Sequence, residues 1–370
     1  MAGTGHRPAI GTTWLVGDIG ATNARFGLVA PGGTLLHSNT YACDDFATID
    51  DAIRAYLDTR GDLPIPQVGA LAIAAAITGD EIRMTNHPWS FSVRVLRDRL
   101  GFERLVVIND FTAVAMAVPL LAETDRLPVG GGAPRAHRTV AVLGPGTGLG
   151  VSGLVPAGSE WIALSGEGGH VTMAPVSERE NAVLDLMRAR FDHVSAERVI
   201  SGSGLVNLYN SLVALDGVPA ASYTPAQITN PEIGQQDPLC HEATTMFCAM
   251  LGTMAGNLAL SLGAQGGVYI AEDIVPKLGS RFAENAFRER FEAKGRMRPY
   301  LASIPTYVIT LPAAGLSRLR RRTDEAGALE RFRIRQDHRR GSWREVTNPR
   351  AKYVTQQPDA TQQNRRIGRK

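Results

Sequence analysis

Hydrophobic and polar positions fall into short blocks along the first forty residues. Trp14-Leu15-Val16 and Phe26-Gly27-Leu28-Val29 are apolar runs on either side of a small polar core, Asp18 to Asn23. Two strands joined by a tight turn read this way, and a third strand is predicted to about residue 41. From Asp44 to Arg60 the apolar residues Phe46, Ile49, Ile53, Tyr56 and Leu57 follow helical spacing. Val68 to Ile77 is continuously apolar, as in a strand buried on both faces. Arg104 to Ile108 predicts another buried strand. It stops at Asn109-Asp110-Phe111-Thr112, and a helix is predicted over Ala113 to Leu121. Glu123 to Arg138 is rich in Gly and Pro and reads as a surface loop at a domain junction.

The second half repeats the mixture of strands and helices. Thr139 to Leu143 predicts a strand that enters Gly144-Pro145-Gly146-Thr147-Gly148-Leu149-Gly150, with Val151 to Val155 as its return partner. Gly148, Gly150 and Gly153 form a Gly-X-Gly-X-X-Gly string, but Val155-Pro156-Ala157-Gly158 follows and no helix can start there. No Gly-Lys-Ser/Thr follows the glycines either, so a hairpin is expected in place of a dinucleotide fold or a Walker loop. Trp161 to Leu164 predicts a strand leading to Ser165-Gly166-Glu167-Gly168-Gly169-His170. Helices are predicted over Glu178–Phe191, Leu205–Leu215, Leu239–Leu262 and Ser280–Glu292, with a polar connector over 219–237. Strands are predicted over Gly266–Ala271 and Pro305–Thr310. Leu239–Leu262 carries small residues on one face, which predicts close helix packing.

Certain polar residues interrupt this pattern where chemistry is done. Gly20 lets a backbone approach a ligand closely, and N–H groups in such a turn make an anion-binding concavity. Asp18, at the end of the first strand, can hold a divalent metal through water. Asp110 ends a buried strand, where open α/β sheets place ligands, and phosphoryl transfer to an alcohol needs a base of this kind. Glu167 and His170 lie among glycines and offer an acceptor and a neutral donor or acceptor for a polyol. Glu197 is a further candidate. Each has a structural alternative: a solvated hairpin Asp, a helix N-cap, a glycine-rich turn, and a Glu in the first turn of a helix after Ser195.

Composition narrows the class. The chain has 370 residues, enough for two domains and a cleft, and is 44% hydrophobic and 20% charged. No uninterrupted apolar run reaches the ~18 residues of a bilayer span, and Met1 to Thr13 has no apolar signal core. Cys43, Cys240 and Cys248 are scattered without zinc-ligand spacing, which points to a reducing cytoplasm. The formal charge of +3 hides a division. Residues 317–370 hold 16 Lys and Arg against 6 Asp and Glu, a net of +10, while the remaining 23 basic and 30 acidic residues give −7. The tail has few aromatics and no recognisable module, so nucleic-acid binding is not expected.

Six segments in order resemble bacterial glucokinases of the hexokinase-related type. They are Asp18–Phe26, Met84–Trp89, Val107–Ala113, Gly146–Gly150, Gly166–His170 and Ala196–Gly202, within a match from about Leu15 to Thr310. The resemblance implies an α/β, two-domain actin/hexokinase-like (ribonuclease H-like) ATPase fold with an interdomain cleft. It places a small domain at 12–120 and a larger one at 121–310. It implies glucose held by Asn109, Asp110, Glu167, His170 and Glu197, with Asp110 as base for the 6-hydroxyl. Asp18 would position Mg²⁺, and Gly20, Ala21, Thr22, Asn23, Gly146 and Thr147 would surround the ATP phosphates. Glucose and ATP are the expected partners, a homodimer the candidate assembly, and no membrane is involved.

Two features depart from the family. Where it usually has Ala-Gly-Gly-Ile near the adenosine, this chain has Ala271-Glu272-Asp273-Ile274. Two carboxylates there are expected to crowd and repel a nucleotide. They support an alternative, a sugar-binding or regulatory protein of the same fold with impaired ATP turnover. The family's closing Gly- and Leu-rich helix is also replaced from Leu311 by Pro-Ala-Ala-Gly and the basic stretch. Residues 311–370 are expected to be a disordered or non-native tail, as from a shifted reading frame, leaving apolar surface on the small domain uncovered.

Overall fold

The computed structural model describes residues 13–30 and 34–310. The expected basic tail at 311–370, and the helix it would replace, lie outside the described residues. Strand β1 (Trp14–Ile19) pairs antiparallel with β2 (Asn23–Val29), and β2 pairs antiparallel with β3 (Leu35–Ala42). On the other side β1 runs parallel to β4 (Val68–Ile73). The small hairpin β5 (Glu81–Arg83) and β6 (Ser90–Ser92) stands apart, and β7 (Arg104–Asn109) runs parallel to β4. The sheet order is β3-β2-β1-β4-β7. All six residues of β4 are buried, as its continuous apolar run requires, whereas β3 at the edge alternates between half-buried and exposed.

Helix α1 (Ile49–Asp58) starts later than its apolar spacing suggests. Cys43–Asp45 forms a separate 3-10 turn, and Thr48 and Asp51 make a reciprocal capping box that fixes the start at Ile49. Ile49, Ala52, Ile53 and Tyr56 then share one face and enter the same core as Leu15, Phe26 and Leu71. Helix α2 (Val93–Arg99) starts at the Ser92 cap. Helix α3 (Asp110–Ala117) begins three residues before its expected start, because Asn109 caps it.

The second sheet has the order β11-β10-β9-β12-β13-β8. Its strands are β8 (Arg126–Gly130), β9 (Val140–Pro145), β10 (Leu149–Ala157), β11 (Glu160–Ser165), β12 (Val268–Ile270) and β13 (Thr306–Ile309). The expected hairpin is β9–β10, with Leu149 opposite Pro145. Strand β8 corrects the expectation of a loop over Glu123 to Arg138. It pairs antiparallel with β13. Arg126 donates to the Tyr269 hydroxyl at 2.9 Å and lies 4.7 Å from the Tyr307 ring centroid. Its partners are far away in sequence, so no local pattern reveals it.

Helices α4 (Glu178–Arg188) and α5 (Gly202–Asp216) pack together and share the core beside this sheet. The polar connector holds two short helices, α6 (Pro225–Ile228) and α7 (Pro231–Gln236). Each is started by a capping residue followed by proline, a helix-start signal the connector's polarity had masked. Helix α8 (Pro238–Leu262) is long and apolar enough to cross a membrane by length and composition. It is instead the central core helix, with 67% of its most apolar window buried. Beyond α9 (Ile274–Leu278), the expected helix over Ser280–Glu292 is two pieces, α10 (Ser280–Ala283) and α11 (Phe287–Glu292). Asn285 interrupts it by accepting the Ala286 N–H at 2.8 Å on its own side chain. The close packing expected of α8 is present: a Cβ on Gly252 would collide with the Phe287 carbonyl of α11.

Candidate active site

The corner from β7 into α3 sets the site. Asn109 uses its side chain twice for the fold. Oδ1 accepts the Thr112 N–H at 3.1 Å as the cap, and Nδ2 donates to the Ala75 carbonyl at 3.2 Å. With Asn109 as the cap, the structural alternative for Asp110 falls away. Asp110 Oδ1 accepts the Phe111 N–H at 2.8 Å. Burial in the cleft pushes the Asp110 carboxyl up to about 7. The Phe111 N–H opposes this, while the negative charges of Asp18 and Glu167 add to it.

Asp110 opens onto a hollow of about 210 Å³ between the two sheets. Asn109, Glu167, His170 and Glu197 line it as well. So do Gly20 and Ala21 of the β1–β2 turn and Gly146 and Thr147 of the β9–β10 hairpin. Three expected site residues, Asp18, Thr22 and Asn23, are not among its lining residues. The Thr22 and Asn23 residues are exposed, and the Asp18 side chain retains 22% exposure. Burial raises the Asp18 pKa, and Arg25, whose Nη1 is 3.5 Å away, pulls it back.

Main-chain bonds hold Glu167, His170 and Glu197 together. Glu167 precedes a single 3-10 turn ending at His170, whose N–H returns to the Glu167 carbonyl at 3.0 Å. Both residues are exposed toward the hollow. Glu197 N–H donates to the Gly169 carbonyl at 2.9 Å, and Glu197 Oε2 accepts the Leu149 N–H at 2.9 Å. One oxygen of Glu197 therefore clamps the hairpin and the other is left for a ligand. Gly202, the first residue of α5, donates its N–H to the Gly146 carbonyl at 2.9 Å.

Sequence patterning did not single out several of the residues here. Phe111 lies across the hairpin glycines: a Cβ on Gly144 would be 2.7 Å from Phe111 Cζ, and one on Gly150 would land in the ring. Thr85 and Asn86 also line the hollow, and the polar run before Pro88 was the signal for them. Glu272, expected to crowd a nucleotide, reaches the hollow. It is open to water in the cleft yet walled by protein, which pushes its carboxyl up to about 7. Asp110, Asp18 and Asp273 reinforce the shift and Arg25 opposes it.

Mg²⁺ keeps several waters and takes one or two carboxylates plus substrate phosphates. Asp18 offers one carboxylate near the hollow, with Arg25 Nη1 at 3.5 Å from its Oδ2. Among the described residues no three His, Cys, Asp or Glu side chains cluster into a cage. The donor set suits an ion brought in with a nucleotide.

Comparison with known proteins gives a consistent result. The glucokinase family model matches residues 15–324. A glucokinase of Paramagnetospirillum magneticum is 52% identical over 299 residues, spanning 80% of this chain and 93% of that protein. One of Aromatoleum aromaticum is 50% identical over 296 residues, spanning 80% and 89%. The crystal structure of a glucokinase from an Antarctic psychrotroph superposes with a TM-score of 0.73 at 34% identity, over 84% of this chain and 98% of that one.

Proposed function

This chain belongs to the glucokinase family, and from that premise we infer how its residues carry out ATP-dependent phosphorylation of glucose to glucose 6-phosphate. The observation that carries the assignment of roles is the single hollow shared by Asp110, Glu167, His170 and Glu197 with two glycine turns. Glu167, His170, Asn109 and the free oxygen of Glu197 bind and orient the sugar hydroxyls. Asp110 Oδ1 is held by the Phe111 N–H, which leaves Oδ2 to accept the proton of the 6-hydroxyl. As that O–H bond breaks, the sugar oxygen bonds the γ-phosphorus and the bond to the β-phosphate oxygen breaks, releasing ADP.

Gly20 and Ala21 face the phosphates from the small domain, with Thr22 and Asn23 beyond the edge of the hollow, and Gly146 and Thr147 face them from the large one. The boundary is proposed near residue 120, between the two sheets. Asp18 would hold Mg²⁺, which supplies charge neutralisation on the phosphate oxygens when bound. Closing the cleft excludes water, the competing acceptor. The three thiols among the described residues are buried and unpaired, which supports an enzyme of a reducing compartment such as the cytoplasm. The binding-protein alternative is not favoured, because the relatives at about 50% identity are glucokinases.

Asp110→Ala is expected to lower glucose-dependent ADP formation by ~10²–10⁴-fold while the fold persists. Activity within about tenfold of the parent would remove Asp110 as the base.

A further inference from the structure

Of the ionisable residues that line the hollow, Glu272 is the one that the phosphorylation chemistry does not use. Its backbone sits at φ +69°, the left-handed region that glycine enters freely and a glutamate enters at a cost. A side chain kept in such a conformation points to a role other than stability. Its carboxylate lies over the phosphate-facing hairpin: a Cβ on Gly146 would be 2.8 Å from Glu272 Oε2 and 3.4 Å from its Cγ. The space that Gly146 leaves by having no side chain is therefore taken by an acid. The hollow measures about 210 Å³, below the ~300–1,000 Å³ usual for ligand clefts.

We propose that Glu272 sets the nucleotide affinity of this enzyme, acting as a displaceable competitor that covers Gly146 until the triphosphate pushes it aside. This rests on the placement of the ATP phosphates beside Gly146 and Thr147. A phosphate arriving there meets a like charge backed by Asp110, Asp18 and Asp273, with Arg25 the opposing cation. The side chain is open to the cleft water, so it has somewhere to go. The neighbouring Asp273 is paired with Lys277, whose Nζ is 3.1 Å from its Oδ2, so its charge is partly balanced there.

The test is a titration of the full chain with Mg²⁺-AMPPNP in the presence of glucose, for the parent, Glu272→Gly and Glu272→Gln. Glycine relieves the backbone and empties the space, so it is expected to bind the nucleotide at least about tenfold more tightly and to melt no lower than the parent. Glutamine keeps the bulk and loses the charge, and an intermediate gain is expected. Glucose affinity is expected to change less, within about twofold, because the Glu272 carboxylate lies over Gly146 of the phosphate-facing hairpin. Equal nucleotide affinity in all three proteins overturns the proposal. ADP release with glucose is measured in parallel and reports separately on the function. Its absence in every variant counts against the kinase reading, while the titration still decides the role of Glu272.

Discussion

The two glycine turns that face the hollow close in the same way and are filled differently. In the first, the Gly20 N–H turns back to the Asn23 carbonyl at 2.9 Å. In the second, the Gly146 N–H turns back to the Gly148 carbonyl at 2.8 Å. Both glycines therefore spend their own N–H inside the turn and cannot offer it to a phosphate. Around Gly20 the nearest atom to an added Cβ is the Asn23 carbonyl oxygen at 3.5 Å, an ordinary contact. Around the second turn every glycine is already pressed by a side chain: Gly144 and Gly150 by Phe111, Gly146 by Glu272, Gly148 by Glu197. One glycine leaves open space beside it. The others make space for the protein itself, and through Phe111 they tie the β9–β10 hairpin to the corner that carries Asp110.

That contrast breaks first, and with the largest effect, at Gly150. Gly150→Ala drives a methyl into the Phe111 ring, and overpacking of this kind costs ~1–3 kcal/mol. Turnover is expected to fall with it, because Asp110 is the residue next to Phe111. The comparison sharpens in a double-mutant cycle read by denaturant unfolding. In a Phe111→Ala background the same Gly150→Ala change should cost less than about 0.5 kcal/mol. Equal costs in both backgrounds would mean that Phe111 is not what Gly150 accommodates.

A smaller effect follows from the dry corner that Phe111 maintains. With its carboxyl pushed up to about 7, Asp110 loses its ionised, proton-accepting form below neutral pH. The kcat/KM for glucose should then fall about tenfold per unit below pH 7 and level off above it. Phe111→Ala lets water in and should move that limb toward lower pH. A parent profile flat to pH 5 would contradict the raised value. Stability carries the opposite sign. The folded protein holds this proton more tightly than the unfolded chain, so its contribution falls as pH rises from about 4 to about 7. Asp110→Asn removes that fall.

Much of this site was legible in the sequence because its residues stand where strands end. Asp110 closes a buried strand, Glu167 and His170 sit among glycines, and the paired apolar runs around Gly20 and Gly146 announced their hairpins. The helix starts were less legible. Asn109, Thr48 and Ser201 compete as caps with their neighbours, and only the bonds made decide which one wins. Contacts between distant segments were not legible at all. The second use of the hairpin glycines depends on Phe111, Glu197 and Glu272, and β8 depends on a strand about 180 residues later. A glycine string gives the positions without side chains but not the reason each lacks one.

Gly20→Ala separates those reasons with the smallest expected change in the fold. The added methyl meets nothing closer than 3.5 Å, and the backbone there is not in the left-handed region, so stability should stay within about 0.5 kcal/mol of the parent. The same methyl protrudes into the hollow on the face assigned to the phosphates. The KM for ATP should rise several-fold, on the order of 1 kcal/mol of lost binding, with the KM for glucose nearly unchanged. Gly150→Ala would lower stability and both substrate affinities together, while Gly20→Ala would touch the nucleotide alone. If Gly20→Ala instead lowered the melting temperature as Gly150→Ala does, both turns would be scaffolds, and neither would be shaped for a phosphate.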